Sequence, residues 1–285
     1  MSAKSIVWVH PLGPNAASYR YRAQIPAEEV SKHNGFTTAI NGGDADIVVF
    51  SKPAMKEFPI AEQAKREGAK IVVDFSDDHF QRNDTYMQFA GLADSIICAS
   101  DVMRARIYDY TKQHAVSISD PYEAEECEPH ADGDQLLWFG HKTNMKAMLK
   151  VLPLLKGRPL RVVTGPKLIP GTIMWTPNNM KNAFAVSNTV ILPVMPGDEH
   201  KSPNRLINSI RAGCFAVTME HPSYFEFRRF IWSGNTAAGF STGLRFMDAF
   251  RGELNEMVKE GQDYIRKRYS PEAIGAKWAS FLDSV

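Results

Sequence analysis

Residues 46–75 read DIVVFSKPAMKEFPIAEQAKREGAKIVVDF: two apolar runs of strand length around a stretch of helical character. "DIVVFS" (46–51) and "KIVVDF" (70–75) are nearly continuous in Ile, Val and Phe, the pattern of strands buried on both faces. Between them, "EFPIAEQAKREG" opens with a proline in its first turn and closes on Gly68, as a helix does. Strand, helix, strand is the repeating unit of a parallel sheet covered by helices. Upstream, "SIVWVH" (5–10) reads as a strand, followed by a helix opening near Pro26 and ending at Asn34-Gly35. Downstream come "SIICAS" (95–100), a helix "DVMRARIYDY" with Asp101 as its expected cap, and "AVSIS" (115–119).

The rhythm stops at "PYEAEECEPHADGD" (121–134), which holds six acidic residues, two prolines and a glycine and has no apolar period. It reads as an interdomain linker, with a surface loop as the alternative. Alternation then restarts with "LLWFG" (136–140), "NMKAMLKVLPLL", "LRVVTG" (160–165), "TVILPV" (189–194), a helix from 203, and "CFAVTM" (214–219). The expectation is an α/β fold of two Rossmann-like domains facing a cleft, with ligands outside the carboxyl ends of the strands. The expected boundaries are 1–122 for the N-terminal domain, 123–134 for the linker, 135–270 for the C-terminal domain and 271–285 for a closing helix. That helix carries Ile274, Trp278, Phe281 and Leu282 at helical spacing and is expected to pack back toward the N-terminal domain.

Charged residues make up 23% of the 285 and hydrophobic ones 44%, an ordinary globular balance, and the net charge of +1 argues against a strong uniform field. Apolar runs are strand-sized, so no membrane span is expected. The start has no signal-peptide pattern, and Cys98, Cys127 and Cys214 lie far apart, so a reducing cytoplasmic setting is expected. There is no G-x-G-x-x-G or P-loop pattern, which argues against dinucleotide and ATP chemistry. Asp44-Ala45-Asp46 precedes a strand instead of following one, so it reads as a turn and not as a metal–diphosphate motif.

One helix start draws chemical interest. In "DEHKSPNRLINSIRAGCFAV" (198–217), Ser202 is placed to cap and Pro203 to occupy the first helical position. Free amides and the positive end of the helix dipole would then attract an anion, with Lys201 and Arg205 adding charge. Leu206, Ile207 and Ile210 form a packing face, while Asn204, Asn208 and Arg211 share another. A capped helix with a polar outer face is the plain alternative.

"HKSPNRLINSIRAGCFAVTMEHPSYFEF" resembles the donor-binding segment of GT-B glycosyltransferases of bacterial and phage type, with a Lys-Ser-x-Asn-Arg pattern, an Ala-Gly turn and a Pro-Ser-Tyr close. "KIVVDFSDDHF" and "YSPEAIGAKWASFL" are similar to the family's Asp-rich strand end and closing helix. The resemblance implies a nucleotide-sugar donor, by family expectation UDP-linked, whose diphosphate lies near Ser202, Asn204 and Arg205, with Lys201 and Asn208 alongside. It further implies a role for Gly140 and Lys142 in "WFGHKTN" beside the same phosphates. Trp175 would stack on the nucleobase, with a core tryptophan as the alternative, and Lys167 is a weaker donor candidate. Many retaining members carry two glutamates in this segment, where this chain has His200 and Asn208. Glu199 and Asp198 lie next to the first of these positions.

"DFSDDH" (74–79) crowds four titratable side chains at a strand's carboxyl end. Asp77 or Asp78, with His79 second, is the expected general base, although such groups also cap helices and brace loops. In "HPLGPNAASYRYRAQ" (10–24), His10, Gly13, Tyr19, Arg20 and Arg22 are the acceptor candidates, interleaving aromatics with cations. The expected activity is metal-independent hexosyl or pentosyl transfer to a hydroxyl, without a cofactor. The acceptor would be a glycan or a hydroxymethylated pyrimidine in viral DNA, with "RRF" (228–230) and "RKRY" (266–269) as the basic clusters that DNA would need. The alternatives are a nucleotide-sugar epimerase or hydrolase on the same fold, or a binding module without turnover.

Overall fold

The computed structural model describes residues 3–81, 84–155, 157–165, 171–195 and 197–285. The chain divides into two compact units: Met1–Tyr122 with His200–Ser202 and Arg268–Val285, and Glu123–Glu199 with Pro203–Lys267.

The first unit holds strands β1 (Lys4–Val9), β2 (Phe36–Ile40), β3 (Ile47–Ser51), β4 (Lys70–Phe75), β5 (Ser95–Cys98) and β6 (Ala115–Ser117). They form one sheet in the order β2-β1-β3-β4-β5-β6, with every pairing parallel. Helices α1 (Ala17–Tyr19), α2 (Ile25–Val30), α3 (Phe58–Arg66), α4 (Thr85–Leu92) and α5 (Asp101–Thr111) connect them, and α1 runs into α2 through a wide turn at Arg20–Gln24. All five residues of β3 are buried, because apolar layers cover both faces of the sheet. Helix α11 (Pro271–Asp283) belongs to this unit. Its Ile274, Trp278, Ala279 and Leu282 join a core with Trp8 of β1 and with Ala27 and Val30 of α2.

The second unit holds β7 (Leu136–Phe139), β8 (Leu160–Thr164), β9 (Ile173–Met174), β10 (Thr189–Leu192), β11 (Phe215–Met219) and β12 (Trp232–Gly234), with α6 (Met145–Val151), α7 (Pro177–Ala185), α8 (Asn204–Arg211) and α9 (Ala237–Ala249). Helix α10 (Leu254–Tyr269) carries the chain into the first unit at Arg268. The second sheet is also parallel throughout, in the order β12-β11-β10-β7-β8-β9. In such sheets the crevice for a ligand opens where the strand order reverses. That point lies between β1 and β3 in the first sheet and between β7 and β10 in the second.

Three local expectations are corrected. Ser100, not Asp101, caps α5: its hydroxyl accepts from the Met103 amide, and Asp101 is the first helical residue. Helix α8 begins at Asn204, with Pro203 at the cap position and no side-chain cap. The Ser202 hydroxyl instead bonds the Asp120 carboxylate in the first unit. Strands β2, β9 and β12 escape the apolar-run reading because they are short or only half covered.

The acidic 123–128 stretch is more than a spacer. Asn208 of α8 accepts the Glu123 and Ala124 amides at 3.2 and 2.9 Å, and the Cys127 amide reaches Arg211 O at 3.0 Å. Glu126 pairs with both Arg211 and Arg266. The expected outer face of α8 is therefore covered. Gly213 after α8 has φ +84°, and a Cβ there would come within 2.4 Å of Glu128 O, so only glycine fits.

Candidate functional site

In the second unit, the loop leaving β7 and the helix following β10 flank the reversal of strand order, and their contributions are Gly140 and Arg205. The Gly140 amide donates to Val163 O at 3.2 Å, and its carbonyl accepts from the Thr164 hydroxyl at 2.8 Å, so the loop is pinned to β8. Arg205, in the first turn of α8, donates from Nη1 to Phe139 O at 3.4 Å. A Cβ on residue 140 would stand 3.3 Å from that same Nη1. Guanidinium and loop backbone thus meet at the carboxyl edge of the sheet, where a side chain on residue 140 would crowd Arg205 and Trp138.

Two residues that the sequence reading passed over support Arg205. Tyr224 is buried and hydrogen-bonds Arg205; burial pushes its phenol pKa up, against the opposing pull of the guanidinium. His221 donates from Nε2 to Asp198 O at 3.0 Å and accepts the Ser223 amide at Nδ1 at 3.2 Å. Burial lowers its pKa more than the Asp198 carbonyl raises it, and Arg205 lowers it further, so the ring is neutral. Both residues lie in the quoted "HPSYFEF", but only the turn after β11 brings them to Arg205.

The other donor candidates lie on several elements. Lys142 is exposed in the short turn Lys142–Asn144. Trp175 is half-buried beyond β9, whereas the fully buried tryptophans are Trp8, Trp138 and Trp278, so Trp175 is not a core residue. Asn204 is half-exposed at the start of α8, and its carbonyl accepts from Asn208. Asn208 is spent on the 123–124 backbone, and Lys201 and Ser202 belong to the first unit. Lys167 lies outside the described residues. His200 also belongs to the first unit, where its carbonyl accepts from the Ser100 hydroxyl; Glu199 accepts the Gly197 amide at 2.9 Å.

In the first unit the strand order reverses between β1 and β3, whose carboxyl ends lead to His10 and Lys52. Lys52 has φ +51°, a left-handed conformation uncommon outside glycine, and its ammonium pairs with Asp77 at 2.5 Å. Asp77 also faces His79 Nε2 at 3.7 Å. Burial raises the Asp77 pKa, but bonds to His79 and Lys52 outweigh it and hold the carboxyl well below the usual range. Such a carboxylate is a weak proton acceptor. Asp78 pairs with Arg106 at 2.6 Å and leaves its Oδ1 buried without a partner.

His10 is 4% exposed; its Nδ1 accepts the Leu12 amide at 3.1 Å, and its Nε2 is buried without a partner. Burial, opposed by that bond and aided by Lys52, lowers its pKa to about 4. The ring is therefore neutral at pH 7 with its proton on Nε2, as a donor. Tyr19 stands edge-on to it at 5.6 Å. Arg20 bonds Pro14 O at 2.8 Å, and a Cβ on Gly13 would meet nothing within 4 Å, so the fold does not require glycine there.

Arg22 is a correction. It is 1% exposed, with Nε and Nη2 on Asp74 at 2.9 and 2.6 Å and Nη1 on Ile118 O and Asp120 at 2.6 and 3.3 Å. It also lies 5.4 Å from the Trp278 ring. Enclosed in this way, it is unavailable to an acceptor, and Asp74 is taken out of the carboxylate cluster with it.

No family model matches the sequence, and no curated protein matches it. Among solved structures, Anabaena HepE in complex with UDP-glucose aligns with TM-score 0.74 at 9% identity, covering 99% of this chain and 100% of that one. Sucrose-phosphate synthase from Thermosynechococcus elongatus aligns at 0.71 and 10% identity, covering 99% and 98%. The fold is GT-B. Neisseria meningitidis UDP-GlcNAc 2-epimerase bound to UDP-GlcNAc aligns at 0.60 and 8% identity, covering 99% and 100%. Two of these three structures thus hold a UDP-sugar. Among the described residues, no group of three His, Cys, Asp or Glu could hold a metal ion, and no helix is long and apolar enough to cross a membrane.

Proposed function

We propose that this chain transfers a glycosyl group from a nucleoside-diphosphate sugar, UDP-linked in our reading, to an acceptor hydroxyl. The observation that carries the reading is the meeting of Arg205 and the Gly140 loop where the strand order of the second sheet reverses. Backbone without a side chain, a guanidinium and a helix start suit a diphosphate, and the same groups would stabilise it as it leaves. Solved structures of the same fold with UDP-glucose and UDP-GlcNAc support this choice of ligand. In this reading the second unit holds the donor through Gly140, Lys142, Trp175, Asn204 and Arg205, and no metal is used.

The first unit would serve the acceptor. We assign proton acceptance to His79, oriented by Asp77, because the ion-paired Asp77 is too weakly basic to act alone. Asp78 is the second candidate. His10, a neutral donor beside Tyr19, would bond an acceptor oxygen. We read the acceptor as a glycan hydroxyl in preference to a DNA base, since the net charge is +1 and the basic clusters at 228–230 and 266–269 are short. Calorimetry with UDP tests the reading: Arg205→Ala should weaken binding by about 1.5–3 kcal/mol, the scale of a hydrogen bond to a charged group. Unchanged affinity refutes the phosphate role.

The epimerase neighbour favours a second reading, isomerisation or hydrolysis without an acceptor. Product analysis separates the two. Donor consumption accelerated by an acceptor glycan indicates transfer, an isomerised donor indicates epimerisation, and binding without either indicates a module.

A further inference from the structure

A cavity of about 310 Å³ lies beside β12, at the turn where the chain leaves β11, lined by Glu220, His221, Tyr224, Phe225, Arg228 and Ser233 among others. Its size falls at the lower end of the ~300–1,000 Å³ typical of small-molecule sites. Two of its walls, His221 and Tyr224, are the residues that surround Arg205, so it adjoins the proposed diphosphate position.

The chemistry of the lining is specific. His221 has both ring nitrogens engaged, and the Tyr224 side chain is hydrogen-bonded to Arg205. The groups left to meet a ligand are the Glu220 carboxylate, the Arg228 guanidinium and the Ser233 hydroxyl. Phe225 is 61% exposed, and the Arg228 guanidinium lies 3.2 Å from its ring centroid. Stacking fixes the plane of the guanidinium and leaves its N–H edge to donate. One anion and one cation leave the lining without net charge. Glu220 would repel a phosphate, and Arg228 would repel a cation. A carboxylate acceptor, a fixed fork of donors, a hydroxyl and an apolar ring match a neutral ring bearing several hydroxyls.

We infer that this cavity is a monosaccharide subsite, binding a neutral sugar ring through Glu220, Arg228, Ser233 and Phe225. The inference deepens the functional reading above and rests on it for the neighbouring diphosphate. The ring has two possible sources, the glycosyl group of the donor or a ring of the acceptor glycan.

Calorimetric titration of the full chain and of Glu220→Gln, Phe225→Ala and Arg228→Ala distinguishes them. The probes are UDP, UDP-glucose, UDP-N-acetylglucosamine, the methyl glycosides of glucose, galactose and N-acetylglucosamine, and inorganic phosphate. UDP affinity should stay within about twofold in all variants, while at least one sugar-bearing probe loses about fivefold or more in Glu220→Gln and Phe225→Ala. Loss confined to the UDP-sugars identifies the donor ring, and loss with a methyl glycoside identifies an acceptor ring. Smaller losses for every sugar-bearing probe overturn the inference, as does an equal loss for UDP. Tighter phosphate binding by Glu220→Gln would mark an anion site and overturn it too. Failure of the donor reading looks different: UDP does not bind, or Arg205→Ala leaves its affinity unchanged, and the methyl glycosides then decide the cavity. Thermal melting checks that each variant folds, as expected for substitutions of exposed side chains.

Discussion

Replacing Arg22 by leucine tests whether that guanidinium is architecture or acceptor site. In the folded chain it forms a bidentate pair with Asp74, reaches Asp120 and Ile118 O, and lies beside Trp278 of α11, with both Arg22 and Asp74 essentially sealed from solvent. Removing it leaves two buried carboxylates without their cation, which costs about 3–5 kcal/mol when one partner of a buried pair is deleted. The first unit comprises Met1–Tyr122, His200–Ser202 and Arg268–Val285. For a unit of this size, each kcal/mol moves the midpoint by roughly 3–4 °C, so the expected fall in melting temperature is roughly 10–20 °C. Substituting Asp74 by leucine in the same chain should recover much of the loss, because an apolar pair of similar volume is tolerated where half an ion pair is not. Differential scanning calorimetry of the single and double variants reads both effects. Should Arg22→Leu melt within ~1 kcal/mol of the parent while acceptor KM rises, the residue would belong to the acceptor site and the burial argument would be wrong.

Asn208→Ala should lower stability by about 1–3 kcal/mol for each of the Glu123 and Ala124 amides left without an acceptor, yet shift UDP affinity less than Arg205→Ala; melting and calorimetry together check this. Gly140→Val should weaken UDP binding by tenfold or more, by rough analogy with one lost charged contact, because the added side chain meets Arg205 and Trp138; unchanged affinity would separate the loop from the ligand. The lowered pKa of His10 makes stability fall as pH drops from about 6.5 towards about 4, since the unfolded chain takes up a proton that the folded ring resists. Denaturant titrations across that window should show the slope flattened in His10→Gln. The Asp77 pKa is lowered in the folded state, so its contribution is complete above the ordinary carboxylate range and is lost as pH falls below it; Lys52→Met should diminish that acid sensitivity.

Strand runs such as "DIVVFS" and "KIVVDF" determine the parallel α/β fold by themselves, since an unbroken apolar strand can be stable only between two covering layers. Local spacing likewise makes α8 and α11 legible as helices. Partnership was not legible. Arg22 and Arg205 look alike in a sequence, each a cation near polar neighbours, and only the packing that seals one against Asp74 and leaves the other beside Gly140 separates them. The same holds for Asn208, whose amide is occupied by backbone 85 and 84 positions away, and for Lys52, whose partner Asp77 lies on another strand's exit. Burial periodicity is a local property of the chain, whereas ion pairs, desolvation and unpartnered donors arise between segments distant in sequence, so only the tertiary structure decides them.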